Sequence, residues 1–174
     1  MKSVKIQVPK GYEIDEKNST FEEIKFKPIN NLFEFLDLNL PSKTLWATCN
    51  VGAEKPEERG KLLSFDEVFS EYELPTSDQI EELIKFCDWK YVNYKGVNGY
   101  LVIGTNGNSI FLPAAGYRDV TFLCGVSGSG NYWSRTLGTN DLVGAYSLYF
   151  NSNDVVCYNG SRYYGRSVRC VKNN

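Results

Sequence analysis

A chain of 174 residues with a formal net charge of −2 is long enough for one well-packed domain and an extension. It has no histidine, which removes the commonest general base and metal ligand, and it lacks the concentrated basic face that nucleic acid demands. No apolar run approaches the ~20 residues that span a bilayer, and the opening MKSVKIQVPKGYEID alternates and soon turns acidic, unlike a secretory leader. The expected product is therefore cytoplasmic as synthesised. An aromatic content of 14% leans towards β-structure, because flat and branched side chains suit a pleated surface. Charge is unevenly spread. From Gly96 to Val171 there is no Lys and no Glu, and only Asp119, Asp141 and Asp154 stand against five arginines. The cysteines, Cys49, Cys87, Cys124, Cys157 and Cys170, form no CxxC pair. Reduced, buried thiols are the expected state, with a structural disulfide in an exported form as the alternative.

In chain order, residues 4–8 (VKIQV) and 21–27 (FEEIKFK) alternate apolar and polar and predict two strands joined by the polar loop GYEIDEKNST. Two strands without a packed face are marginal alone. Residues 1–35 are therefore expected as a short β extension, lying on the main domain of residues 36–174 or on another subunit. Residues 44–51 (TLWATCNV) predict a strand anchored by Trp46, and residues 65–72 a helical turn or two. The clearest helix follows. Ile80, Leu83, Ile84 and Cys87 fall at i, i+3, i+4 and i+7, with Ser77 as the expected N-cap and Asp78, Glu81 and Glu82 near the positive end of the dipole. That spacing puts Cys87 in the buried stripe. Residues 89–94 read as a strand, and residues 99–104 and 109–112 flank Thr105-Asn106-Gly107-Asn108, a hairpin signal because Asn and Gly both tolerate positive φ. Gly116 to Gly130 reads as a long irregular loop. Strand-like runs return at 145–150, 154–158 and 163–171.

The last third of the chain holds the candidate ligand-binding residues. Tyr146, Leu148 and Phe150 are expected on a core face, which leaves Ser147 and Tyr149 on the other. The loop after them supplies Asp154, Tyr158, Asn159, Ser161, Tyr163 and Tyr164, and the loop before supplies Arg135, Asn140 and Asp141. Tyr offers large contact area with few rotors to freeze, while Ser and Asn adapt their hydrogen bonding. The absence of Lys and Glu lowers the entropy cost of ordering such a surface. The plainer alternative is that Tyr, Asn and Gly are simply what strands and tight turns use.

Chemistry finds less support. Cys124 to Gly130 is neither GxGxxG nor GxxxxGK[ST], and without histidine a Ser or Cys nucleophile lacks its usual base. Asp154 beside Asn151 and Asn153 is a thin donor set for calcium. No catalytic residue, metal or cofactor is expected. Arg169, between Val168 and Cys170 in a predicted strand, is expected to hold a buried carbonyl cluster, and Trp46, Trp89 and Trp133 are expected in the core.

LPSKTLWATCNVGA, LPTSDQIEELIKFCDWKY, GVNGYLVIGTNGNSIFLPAAGYR, YWSR, AYSLYF and GRSVRCV, in that order over roughly residues 36–171, resemble the Fibrobacter succinogenes major paralogous domain of gut bacteria and their prophages. That family is similar to the C-type-lectin-like fold, which includes formylglycine-generating enzymes and the variable proteins of diversity-generating retroelements. The resemblance implies an α+β domain with a twisted antiparallel sheet, a helix or two packed on it, and long ligand-presenting loops. It implies a non-enzymatic ligand- or receptor-binding protein of phage or prophage origin, virion-associated, with Ser147, Tyr149, Tyr158, Asn159, Ser161 and Tyr163 where retroelement variable proteins are diversified. The expected partner is a macromolecule, protein or glycan. The rival reading is a structural virion or assembly subunit, homo-oligomeric through residues 1–30. A formylglycine-generating oxidase needs a reactive cysteine pair with copper, and here only Cys157 and Cys170 meeting in space would serve; that activity is not expected.

Overall fold

The computed structural model describes residues 12–14, 26–28, 33–139 and 143–173. The chain divides into two units, Met1–Leu32 and Phe33–Asn174. In the first, strand β1 (Tyr12–Ile14) pairs antiparallel with β2 (Phe26–Pro28), Glu13 opposite Lys27. A strand thus lies inside the stretch expected as a polar loop, while the strand expected at residues 4–8 falls outside the described residues.

The second unit is β-rich α+β, built from open antiparallel sheets. Strands β3 (Phe35–Asp37) and β4 (Leu45–Ala47) pair with the closing strand β13 (Val171–Lys172), in the order β13-β4-β3, so the two ends of the unit meet in one sheet. Two helices follow β4: α1 (Phe65–Val68) and α2 (Ser77–Phe86). Then come the meander β5 (Asp88–Tyr94), β6 (Val97–Ile103) and β7 (Ser109–Pro113), a small hairpin of β8 (Tyr117–Asp119) and β9 (Phe122–Cys124), and the sheet β10 (Gly130–Leu137), β11 (Gly144–Phe150), β12 (Val155–Ser161). The Gly116–Gly130 stretch is therefore not plain loop, because it folds back as β8 and β9. Among the described residues no helix is long and apolar enough to cross a membrane.

Local chemistry explains the element ends. The N-cap of α2 is Thr76, one residue before the expected Ser77. Its hydroxyl accepts from the Gln79 N–H at 3.1 Å, and the Gln79 side chain accepts from the Thr76 N–H at 2.9 Å, a reciprocal capping box. Ile80, Leu83 and Cys87 are buried and Ile84 packs beside them, as the spacing requires. The tight two-residue turn lies at Lys95-Gly96, both at positive φ (50° and 86°), between the paired residues Tyr94 and Val97. At Asn106-Gly107 only the glycine is left-handed, with φ 84°.

Two apolar clusters lie on opposite faces of β10 and β11. Alternation sends Tyr132, Leu148 and Phe150 into the first, with Ile80 and Leu83 of α2, Trp46, Tyr100, Val102 and Leu112. It sends Trp133 and Ala145 into the second, with Phe65 and Val68 of α1, Leu74, Val168 and Cys170. Trp46 and Trp133 are buried, and Trp89 packs half-buried against the first cluster. All five cysteines are unpaired. Cys157 packs against the first cluster and Cys170 sits in the second, so the sheet separates them.

Residues 165–171 are buried throughout. They do not form the expected strand over 163–171: the segment runs as irregular backbone through the interior, touching neighbours by isolated bridges such as Leu63↔Arg166 and Tyr132↔Ser167. Val168, Arg169 and Cys170 are consequently all buried instead of alternating. Arg169 has no carboxylate partner among the described residues. Its guanidinium donates to Asn50 Oδ1 (3.0 Å), Ala47 O (2.9 Å) and Phe111 O (2.8 Å). The carbonyl cluster expected for Arg169 is there, and it joins β4, the loop after it and β7.

Arg169→Met keeps the apolar stem and removes all three bonds, leaving buried acceptors unmatched. It is expected to cost roughly 3 kcal/mol or more in urea unfolding, and Arg169→Lys should recover only part of that, since an ammonium cannot span the planar fork. Burial pushes the Cys157 and Cys170 thiols up to about 12 and Cys87 to about 11, from 9.0. Their folded pKa values lie above the unfolded ones, so the stability they contribute is complete below pH 9 and is lost as pH climbs towards 11 to 12. The urea midpoint should fall between pH 8 and pH 10.5, and fall less in a variant with Cys157 and Cys170 both replaced by Ala.

Candidate functional site

The outer strand of the β10–β12 sheet decides where the late tyrosines go. Ser147 pairs with Tyr158 and Tyr149 with Val156, so Ser147, Tyr149 and Tyr158 share one face while Asn159 takes the other. That first face is largely covered. The buried segment after Tyr164 crosses it, and Arg166 lies between the rings of Trp133 (4.3 Å) and Tyr158 (5.1 Å). Its Nη1 donates to the Ser147 hydroxyl. Ser147 is thus fully buried beneath a guanidinium, which corrects its expected exposure. The period-two rule placed it on the correct face, but a second layer of chain closes that face.

Near Arg166 the aromatic rings form a band of two packed groups. Tyr149 meets Tyr158 edge-on at 5.9 Å, and the Tyr158 hydroxyl reaches Asn131 Oδ1 at 3.5 Å. Tyr117 meets Tyr164 at 5.3 Å, and Tyr164 meets Tyr163 at 6.3 Å. Burial lowers the Arg166 pKa, and the nearby hydroxyls of Tyr158, Tyr164 and Tyr117 oppose that shift. Most of these rings are half-buried; Tyr163, at 66% exposure, is the one that stands out into solvent.

The band ends at an open cleft of about 640 Å³ lined by the cap residue Ser64 and by Asp66 and Glu67 of α1, Arg118 and Val120 of the β8–β9 hairpin, Val143, and Ser161, Arg162 and Tyr163. Its charges are matched: Arg162 pairs with Asp66, and Arg118 lies 3.6 Å from Glu67. Hydrogen bonds from the Ser64 side chain and backbone, with Arg118 beside it, hold the Glu67 carboxyl below its ordinary range. Arg118 is fixed further by donating to Leu62 O and Val120 O. Val120, Val143 and Tyr163 give this charged floor an exposed apolar rim. The cleft offers matched ion pairs, a hydroxyl and aromatic edges to whatever enters it.

Of the sequence-chosen residues, Tyr149, Tyr158, Ser161, Tyr163 and Tyr164 come together in this band and cleft. Asn159 is exposed on the opposite face, its amide pressed against Gly138 and Gly144, where an added Cβ would meet it at 2.7 and 2.5 Å. Asp154 belongs to the β11–β12 turn, its N–H donating to Asn151 Oδ1 at 2.9 Å. Arg135 lies on β10 itself and pairs with Glu73 at 2.8 Å. Asn140 and Asp141 lie outside the described residues. Tyr117, Arg118, Asp66 and Glu67 were not singled out for this site, since α1 and the β8–β9 hairpin are remote from it in the chain; Arg166, two residues after Tyr164, was near enough in the chain but was not expected to turn inward. Among the described residues no three Cys, Asp or Glu side chains gather into a metal-holding group. Comparison with family models, curated proteins and solved structures returned no match for this chain.

Gly160 stands on the band's face, where a Cβ would come within 2.5 Å of Arg166 Nη2 and 2.9 Å of the Tyr158 ring. Gly160→Ala should therefore displace the guanidinium and cost about 1–3 kcal/mol, with a change in Trp133 fluorescence. Gly107→Ala, where a Cβ meets open space but φ is 84°, should cost stability without moving that signal.

Proposed function

We propose that this chain is a non-enzymatic binding protein whose recognition surface is the tyrosine band from Tyr149 to Tyr163 together with the adjoining cleft. The observation that carries this reading is the bracing of the band. Tyr149 and Tyr158 pack ring to ring with Arg166 against Tyr158, and Tyr117, Tyr164 and Tyr163 pack ring to ring beside them, so ordering them on contact costs little further entropy. Rigid aromatic area with hydroxyls at its margin, in a stretch with no lysine from Gly96 to Val171, is the chemistry of a paratope. The partner class is a protein or a glycan, held by shape and hydrogen bonding.

The finer reading rests on the motif resemblance. It makes the domain C-type-lectin-like and the chain a receptor-binding or retroelement-diversified protein of phage or prophage origin. The packing of α2 on an antiparallel sheet and the gathering of loop residues at one cleft are consistent with that architecture. Among the residues of the diversified set, Tyr149, Tyr158, Ser161 and Tyr163 are then the contact positions, and Ser147 is a support for them.

Screening the protein on a glycan array and against a displayed peptide library tests the proposal. At least one saturable binder is expected, and Tyr149→Ser with Tyr163→Ser should abolish it while the urea midpoint stays close to wild type. Binding that survives this pair of substitutions places recognition elsewhere. Tyr158→Ala is a poorer probe because it also uncovers Arg166, and it should destabilise the fold.

A further inference from the structure

Strand β12 is the edge of its sheet, and among the described residues nothing pairs with its outer side. Asn151 N donates to Asp154 O, and Arg162 N to Val143 O. Those bonds set the ladder phase: Val156, Tyr158 and Gly160 bond inward to β11, while the backbone N–H and C=O of Val155, Cys157, Asn159 and Ser161 point outward. No hydrogen bond among the described residues uses the backbone of these four. Natural edges are commonly blunted by charge, proline or a bulge. The seven residues of β12 carry no charge and no proline, and their register with β11 is unbroken. Of the other long edges, β5 carries Asp88 and Lys90, and β10 carries Arg135 and uses its outer side for bonds to Ser167 and Pro75.

The two faces beside that edge differ. On one stand Val156, 44% exposed, and half-buried Tyr158. On the other runs α2, which packs against β12 and presents exposed Asp78 and Glu81. Both carboxylates are close enough to raise the Cys157 thiol pKa, and neither makes an ion pair among the described residues.

We propose that the β12 edge is a docking site for an extended segment of a partner protein, which adds as a fourth strand with alternating apolar and basic side chains. Backbone bonds to Val155, Cys157, Asn159 and Ser161 hold the segment, its apolar side chains lie against Val156 and Tyr158, and its Lys or Arg side chains meet Asp78 and Glu81. A second copy of β12 fits less well, because symmetric pairing brings the acids of both α2 helices onto the same face. The site does not depend on what the cleft binds, since main-chain pairing carries it.

The probe is a short capped peptide alternating Val and Lys, with a Val/Glu peptide as its control, followed by calorimetry and by amide hydrogen exchange. The Val/Lys peptide should bind and slow exchange at Val155, Cys157, Asn159 and Ser161, while the Val/Glu peptide binds at least about tenfold more weakly. Asn159→Pro removes one outward N–H and no ladder bond, and should abolish binding. If that variant misfolds, Val156→Lys serves instead, weakening binding by placing a like charge at the edge. No binding of the Val/Lys peptide, equal binding of both peptides, or unchanged binding by the folded variant overturns the proposal. Self-association that vanishes with either variant also overturns it, assigning the edge to a second copy.

Discussion

A buried cation with no acid beside it among the described residues is the constraint on which the rest of this structure depends. Arg169 is 1% exposed, and burial lowers its pKa. Leaving any of its bonds unmade at that depth would cost several times what an exposed arginine loses. Asn50 Oδ1 and the carbonyls of Ala47 and Phe111 answer it, two from β4 and the loop after it and one from β7. The side chain therefore acts as a three-way tie. It fixes where the closing segment enters the interior, and so where β13 meets β4.

The position of the surface follows from that tie. Arg166 lies three residues before Arg169, and the irregular backbone between them runs buried across the sheet. With the segment pinned at Arg169, Arg166 is delivered to the gap between Trp133 and Tyr158. Ser147 is covered as a result, and Tyr158 is held at a fixed height with Tyr149 against it. A cation against two aromatic faces in a partly desolvated site is worth on the order of 2 kcal/mol. Rings held this way present their outer edges with little freedom to lose. The molecule spends its buried arginines on organisation of a surface more than on stability.

Much of this was legible in the chain, for physical reasons that can be named. The stripe of Ile80, Leu83, Ile84 and Cys87 gave α2 because a 3.6-residue period has one strong cause. Arg169 among apolar residues gave the carbonyl cluster because a buried guanidinium requires acceptors. Ser147 failed for an instructive reason. Alternation reports which face a residue takes but is silent on whether a remote segment covers that face, and here both faces of β11 are packed. The same blindness hid the cleft, half of which comes from α1 and the β8–β9 hairpin. At the turns, Lys95-Gly96 adopted the conformation that Asn106-Gly107 advertised, since register across β5 and β6 decided it over residue preference. Thr76 displaced Ser77 as cap because Gln79 stands where only Thr76 completes the reciprocal pair.

Aromatic-carbon NMR relaxation of the Tyr158 ring, in the wild type and in Arg166→Met, tests most directly whether a buried arginine stiffens the band. The account predicts an ordered, slowly flipping ring in the wild type that loosens in the variant while the backbone spectrum stays dispersed. A Tyr158 ring already mobile in the wild type, or unchanged by loss of the guanidinium, would contradict it.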